Sequence, residues 1–122
     1  MVQFAASRPI FAQISEHIAL DIMTGVYPPG SKLPSVRDLA TTFGVNPNTM
    51  QRALTDLESQ GLITTHRTAG RTVVEDRSII AATKQQLVEQ RVREFVESLQ
   101  AFDYSSDDLT NIIQKGIKEV KP

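Results

Sequence analysis

The stretch of sequence that decides the fold is residues 33–61, which read LPSVRDLATTFGVNPNTMQRALTDLESQG. Ser35 stands just before its first apolar-periodic segment, and a serine hydroxyl at an N-cap accepts a hydrogen bond from an unpaired amide of the first helical turn. We therefore predict a short helix over residues 36–43. Gly44-Val45-Asn46 follows, and a short segment of this kind that starts with glycine is typical of a tight turn.

A second helix is predicted over residues 47–60, directly after this turn. Asn46 is a favourable N-cap, Pro47 suits the first helical position, and Gly61 suits the position after the C-cap. One face of this helix has apolar residues at helical spacing, namely Met50, Ala53, Leu54 and Leu57. Two helices joined by a short turn that contains glycine indicate a helix-turn-helix motif.

The flanking segments supply a packing partner and a hairpin. Residues 9–24 are predicted to form a helix with a stripe of isoleucines at Ile10, Ile14, Ile18 and Ile22. The apolar faces of the helix-turn-helix can pack on this stripe. Residues 62–67 and 71–75 are predicted as two short strands that flank a loop at residues 68–70.

A helical tail is predicted after the hairpin, so that residues 1–76 form one domain and residues 77–122 another. One helix covers residues 77–102, the segment 103–106 breaks the pattern, and a last helix follows. The apolar stripes of the two helices are Val88, Val92, Phe95, Leu99 and Phe102, then Leu109, Ile112, Ile113 and Ile117. We expect dimerisation through these stripes, because exposed apolar patches of this size usually mark an interface. The alternative is that they pack back on the first domain of the same chain.

Composition excludes several functions. The chain has 122 residues and no cysteine, which excludes disulfides, cysteine-ligated zinc and thiol chemistry. The apolar run at residues 79–82 is far too short to cross a membrane, and the N-terminus lacks a signal-peptide pattern, so we expect a soluble, cytoplasmic protein without a membrane partner. No arrangement of residues favours catalysis, and His66 has no second ligand at metal spacing. His17 lies between Ile14 and Ile18 and is interpreted as a helix-surface residue rather than a catalytic base. We therefore expect no enzyme activity, no cofactor and no metal site.

The outward face of the second motif helix carries side chains suited to double-stranded DNA. A helix-turn-helix places the start of this helix in the major groove. Asn48 and Gln51 can bond adenine in a bidentate manner, Arg52 can bond guanine or phosphate, and Thr49 lies in the same turn. Two alternatives stay open: these polar groups are merely solvated, or the arginines form only surface ion pairs, Arg52 with Asp56 and Arg37 with Asp38.

The hairpin and the preceding helix offer further contacts to DNA. Basic residues of the hairpin flank Gly70, namely His66, Arg67 and Arg71. Ser35 and Arg37 start the preceding helix and would face adjacent phosphates. A formal net charge of -1 argues mildly against a nucleic-acid binder, but between residues 32 and 71 five basic residues oppose three acidic ones.

The run from residue 8 to about residue 74 resembles the winged helix-turn-helix domain of the GntR family of bacterial transcriptional regulators. The resemblance rests on four motifs in order: PIFAQI (9–14), PGSKLPSVRDLA (29–40), GVNPNTMQRAL (44–54) and LESQGLI (57–63). It implies a mainly α fold with a small β-hairpin, the wing. It also implies DNA contacts from Arg37, from the start of the recognition helix and from the wing.

This chain departs from the wider family at two places. The recognition helix of many members begins Ser-Arg-x-Thr and has arginine where Gln51 stands, whereas this chain has Pro47 and Gln51. Base preference therefore does not carry over. The wing, usually Arg-Gly-x-Gly, is RTAG at residues 67–70 and keeps only the second glycine.

The form Asn-Pro-Asn-Thr resembles the YtrA and MocR branches of the family. The tail of roughly 45 residues is too short for the aminotransferase domain of the MocR branch and resembles that of the YtrA branch, in which the tail mediates dimerisation. This resemblance implies a homodimeric repressor that binds a pseudo-palindromic operator, for example of a transporter operon. A small-molecule effector of unknown identity is left open. The alternative function is a winged-helix protein-interaction module without sequence-specific DNA binding.

Overall fold

The computed structural model describes residues 3–120 and confirms the predicted fold class, mostly helical with one small antiparallel sheet. The elements are α1 (Ile10–Met23), α2 (Val36–Phe43), α3 (Pro47–Ser59), β1 (Ile63–His66), β2 (Gly70–Val73), α4 (Arg77–Leu99) and α5 (Ser106–Val120). The chain divides into two compact units, one up to Lys84 and one from Gln85. This division falls inside α4, after the domain boundary predicted at residue 76, because Ile80 in α4 is only 8% exposed and belongs to the core of the first unit.

The core of the first unit is built on the isoleucine stripe of α1. Ile14, Ile18 and Ile22 are buried there, together with the apolar face of α3. Each fully buried aliphatic side chain of this kind contributes about 1.5–3 kcal/mol. Ile10 departs from the predicted stripe, since it is the first residue of α1 and remains 46% exposed.

The helix ends in the motif follow the predicted capping chemistry. The backbone amide of Asp38 donates to Ser35 Oγ (3.1 Å), and that of Thr49 donates to Asn46 Oδ1 (2.9 Å). Gly44 ends α2 in the left-handed region with φ 69°. These caps fix the turn between α2 and α3, and hence the direction in which α3 starts.

The hairpin pairs Ile63 with Val73 at one end and His66 with Gly70 at the other. Gly70 is therefore the first residue of β2, not a residue of the predicted loop. A third segment lies along β2: the amide of Leu33 donates to the carbonyl of Arg71 (2.9 Å), and the amide of Val73 donates to the carbonyl of Ser31 (2.9 Å). This segment, residues 31–33, adds an isolated bridge between Lys32 and Thr72 to the wing and is not part of the predicted hairpin.

The second unit is the rest of α4, a 3₁₀ turn at Gln100–Phe102 and α5. The α-helix ends at Leu99, earlier than predicted, and Asp103 turns the chain with φ 60°. The amide of Asp108 donates to Ser105 Oγ (3.1 Å), so Ser105 caps α5. No residue between 85 and 120 is buried, and the unit therefore exposes its apolar stripes.

Within residues 3–120, none of the helices combines the length and apolar character that crossing a bilayer requires.

Candidate nucleic-acid interface

The first turns of α3 present polar side chains that have no partner within residues 3–120. Asn48 and Gln51 are exposed, and their side-chain amides form no hydrogen bond within residues 3–120. Thr49 is half-buried, because its amide closes the cap on Asn46. The unpaired backbone amides of the first turn also lie at this end of α3. It is therefore suited to bind DNA, the backbone amides at phosphates and the side-chain amides at base edges.

Arg52 lies one turn further along α3 and stacks on an aromatic ring. Its Cζ is 4.0 Å from the centroid of the Phe11 ring in α1. The ion pairs among residues 3–120 are Arg8–Glu16, His17–Asp21 and Lys115–Glu119. The alternative interpretation of Arg52 as a surface ion pair with Asp56 is therefore wrong for this structure.

The acidic groups of α3 are used inside the protein. Asp56 Oδ2 accepts hydrogen bonds from the buried Ser15 hydroxyl (2.6 Å) and from Gln60 Nε2 (3.0 Å). Glu58 Oε1 accepts from the amide of Thr65 in β1 (3.2 Å). These bonds tie the later half of α3 to α1 and to the wing, and they turn both carboxylates towards protein donors.

The wing carries the predicted basic residues in different settings. His66 Nε2 lies 2.8 Å from Thr72 Oγ1, so its exposed ring is held against the neighbouring strand. Arg67 is exposed at the end of the hairpin. Arg71 is half-buried, and its Nε is enclosed without a hydrogen-bond partner among residues 3–120. Gly70 has φ 78°, a conformation that an L side chain rarely adopts.

Lys32 is a basic residue of this surface that sequence reasoning did not assign to DNA. It pairs with Thr72, and its Cε lies 3.5 Å from where a Cβ on Gly70 would stand. In the structure Ser31 is half-buried, Lys32 is exposed and Leu33 is buried, an alternation that is typical of a strand beside a core. The residue types Ser-Lys-Leu do not show this alternation by themselves.

The remaining predicted contacts lie at the start of α2. Arg37 is exposed, and it forms no ion pair with Asp38 within residues 3–120. Ser35 is exposed but uses its hydroxyl oxygen to cap α2. The five cations between residues 32 and 71 are thus all outside the ion pairs found in the described chain: Lys32, Arg37, Arg52, Arg67 and Arg71.

The winged helix of this chain is shared with a known family of bacterial proteins. Bacterial regulatory proteins of the GntR family match residues 11–73. This chain belongs to the GntR family. It is 33% identical over 116 residues to the uncharacterized HTH-type transcriptional regulator YhcF of Bacillus subtilis, which covers 95% of this chain and 93% of YhcF. It is 34% identical over 92 residues to the HTH-type transcriptional repressor YtrA of Bacillus subtilis, covering 75% and 71% of the two chains.

Solved structures of GntR-type proteins are similar to this chain. A GntR family transcriptional regulator from Listeria monocytogenes has a TM-score of 0.85 and 35% identity, covering 92% of this chain and 98% of that one. The AraR DNA-binding domain in complex with operator ORX1 has a TM-score of 0.55 and 34% identity, covering 61% of this chain and 93% of that domain. The predicted resemblance is confirmed: this GntR protein is a transcriptional regulator with a DNA-binding domain, and its named relatives are regulators rather than enzymes. The protein-interaction alternative is not favoured by these relatives.

Proposed function

We propose that this GntR protein is a homodimeric repressor that binds a pseudo-palindromic operator sequence. The observation that carries the proposal is that the start of α3 exposes the side-chain amides of Asn48 and Gln51, and that the exposed Arg67 of the wing is in none of the ion pairs found within residues 3–120. The similar AraR domain was solved on an operator, which supports DNA as the ligand of this surface. The name of YtrA as a repressor supports the direction of regulation.

The contacts divide by chemistry into base-reading and phosphate-binding groups. Asn48, Gln51 and Arg52 are exposed near the start of α3 and would read base edges in the major groove. The cations of α2 and the wing would hold phosphates and set the register on the duplex. These phosphate ligands are Arg37, Arg67 and Arg71, and Lys32 joins them because it lies against the wing. Ser35, Thr49, His66 and Gly70 would act mainly by shaping the backbone and side chains around them.

The second unit supplies the dimer contact in this proposal. Its two helices enclose an open apolar groove of about 1030 Å³, lined by Phe95, Leu99, Phe102, Tyr104, Leu109, Ile112, Ile113, Gly116, Ile117 and Val120. Phe102 is 67% exposed and Ile117 is 61% exposed. Burying such a surface against water stabilises association by about 25 cal/mol per Å² of apolar area.

A second copy of this unit is the occupant that we propose for the groove, because its own exposed stripe is apolar in the same way. Val88 and Val92 lie exposed on α4 but do not line the groove, so they would contact a partner only if the interface extends along α4. A symmetric dimer places two recognition helices on two half-sites, which is why a pseudo-palindromic operator follows.

Selection of bound sequences from a random DNA pool tests binding, symmetry and half-site spacing together. We expect an inverted repeat with half-site centres about one or more helical turns apart. Sedimentation of the free protein should give the mass of two chains. An enriched single half-site together with a single-chain mass contradicts the dimer, and no enrichment at low salt contradicts sequence-specific binding.

A further inference from the structure

Two polar side-chain contacts between α1 and α3 lie one helical turn apart on both helices, beside the apolar packing of the core. Phe11 of α1 faces Arg52 of α3, and Ser15 of α1 bonds Asp56 of α3. Ser15 comes four positions after Phe11 in α1, and Asp56 comes four positions after Arg52 in α3. The two helices therefore run side by side in the same direction at this place. The recognition helix is therefore held in one axial register against α1 by a ring contact and a partly buried hydrogen bond.

The stack restricts Arg52 without using its hydrogen-bonding groups. A free arginine side chain has many rotamers, and ordering it upon binding DNA costs conformational entropy. A guanidinium that lies over a ring uses its flat face for the contact, whereas its N–H donors point outwards in the guanidinium plane. Arg52 is exposed and forms no ion pair within residues 3–120, so these donors remain available.

Phe11 is well placed to hold this arrangement in the free protein. It is partly buried and packs against the core of the first unit, so the ring is itself fixed. Its partner Arg52 lies on the same helix as Gln51, which places the stacked guanidinium beside the base-reading groups. The ring is therefore a rigid platform under a donor group that would otherwise be mobile.

We propose that Phe11 is a positioning residue that sets base preference by presenting the Arg52 guanidinium to a guanine edge. The proposal rests on the proposed function, in which α3 reads the operator. Phe11 itself does not need to touch DNA, since it acts through Arg52. The consequence is that a residue of α1, outside the helix-turn-helix, determines specificity at one position of the operator.

A double-mutant cycle on the intact protein tests this role. The affinity of wild type, Phe11→Leu, Arg52→Ala and the double variant is measured on the selected operator, on operators changed at single positions and on random DNA. Phe11→Leu should weaken operator binding by about 2- to 5-fold, the range that corresponds to a cation–π contact at an exposed site. It should relax preference at the same base position as Arg52→Ala, leave random-DNA binding unchanged and have less than about 2-fold effect in the Arg52→Ala background.

Matched variants separate positioning from folding. Phe11→Tyr keeps the ring and should retain operator preference. Phe4→Leu makes the same change at another partly buried phenylalanine, which stacks on no cation within residues 3–120, and should leave base preference unchanged. If Phe11→Leu does not fold, NMR of the wild-type protein decides instead: stacking shifts the Arg52 side-chain protons upfield, and unshifted protons overturn the proposal.

The outcomes against the proposal differ from those against the proposed function. An equal effect of Phe11→Leu with and without Arg52, an equal loss on all sequences, or tighter operator binding overturns the role of Phe11 while operator binding by the wild type stands. A wild-type protein that binds no sequence preferentially overturns the proposed function, and the role of Phe11 with it.

Discussion

The hydrogen bond between Ser15 and Asp56 should be a main determinant of how firmly the recognition helix is attached. Ser15 is 1% exposed, and its Oγ lies 2.6 Å from the Asp56 carboxylate. Replacing Ser15 by alanine removes the donor and leaves the shape of the core almost unchanged. The variant therefore tests the bond between α1 and α3 rather than the packing around it.

The magnitude follows from the setting of the two groups. A hydrogen bond to a charged group contributes about 1.5–3 kcal/mol. Asp56 is half-buried and keeps Gln60 as a donor. Water and Gln60 therefore compensate in part for the lost hydrogen bond, and the carboxylate is not left buried without a partner. Alanine also has a higher helix propensity than serine and returns about 0.5 kcal/mol. We expect Ser15→Ala to lower the free energy of unfolding by about 1–2.5 kcal/mol, and the melting temperature by at least about 4 °C.

Urea unfolding followed by circular dichroism measures this change, with all variants at one protein concentration because dimerisation also stabilises the folded state. Ser98→Ala is the control, since Ser98 is exposed on α4 and such changes fall within about 0.5 kcal/mol. In an Asp56→Ala background, Ser15→Ala should have almost no further effect. A stability equal to wild type, or the same loss in both backgrounds, would refute the reasoning that this bond joins the two helices.

Three further predictions concern the interface with DNA and the second unit. Gln51→Ala should change the base preference found by selection and cost about 1–3 kcal/mol on the operator, whereas an equal loss on random DNA would show that Gln51 reads no base. Arg71→Ala should weaken binding to all sequences and lower the salt slope by about 1, which titrations at several salt concentrations measure; an unchanged slope rejects a phosphate contact. Phe102→Glu should give a single-chain mass in sedimentation while unit one keeps its melting transition, because the charge would lie in the apolar groove; a persistent dimer rejects this interface.

The helix-turn-helix could be predicted closely because its signals are local. Ser35 and Asn46 are read as caps from single residues with known side-chain chemistry, and both caps are present at 3.1 and 2.9 Å. The apolar spacing of α3 likewise depends on helical geometry alone. Local signals of this kind do not depend on where the rest of the chain goes.

The parts that sequence reasoning missed depend on contacts between distant residues. Lys32 follows Pro28-Pro29-Gly30, a composition typical of turns, and only its pairing with Thr72 places it on the wing. An ion pair between Arg52 and Asp56 is a reasonable expectation because the two residues are one turn apart on α3. In the structure Arg52 instead contacts the Phe11 ring, and Asp56 accepts a hydrogen bond from the Ser15 hydroxyl, both in α1. Tertiary packing decides between a local ion pair and two contacts to another helix, and residue spacing along one helix gives no information about that packing.

The net charge of -1 illustrates the same point for function. Charge totals count Asp56 and Glu58 against the cations of the DNA-binding unit, but both carboxylates accept hydrogen bonds from within the protein. Between residues 32 and 71 five basic residues oppose three acidic ones, and these cations form no ion pairs within residues 3–120, so this part of the chain carries a positive formal charge although the whole chain does not. In the proposed complex the phosphate ligands of each chain are four cations, namely Lys32, Arg37, Arg67 and Arg71. Base-edge contacts from α3 would then provide much of the discrimination between sequences, and the proposed positioning of Arg52 by α1 would contribute to it.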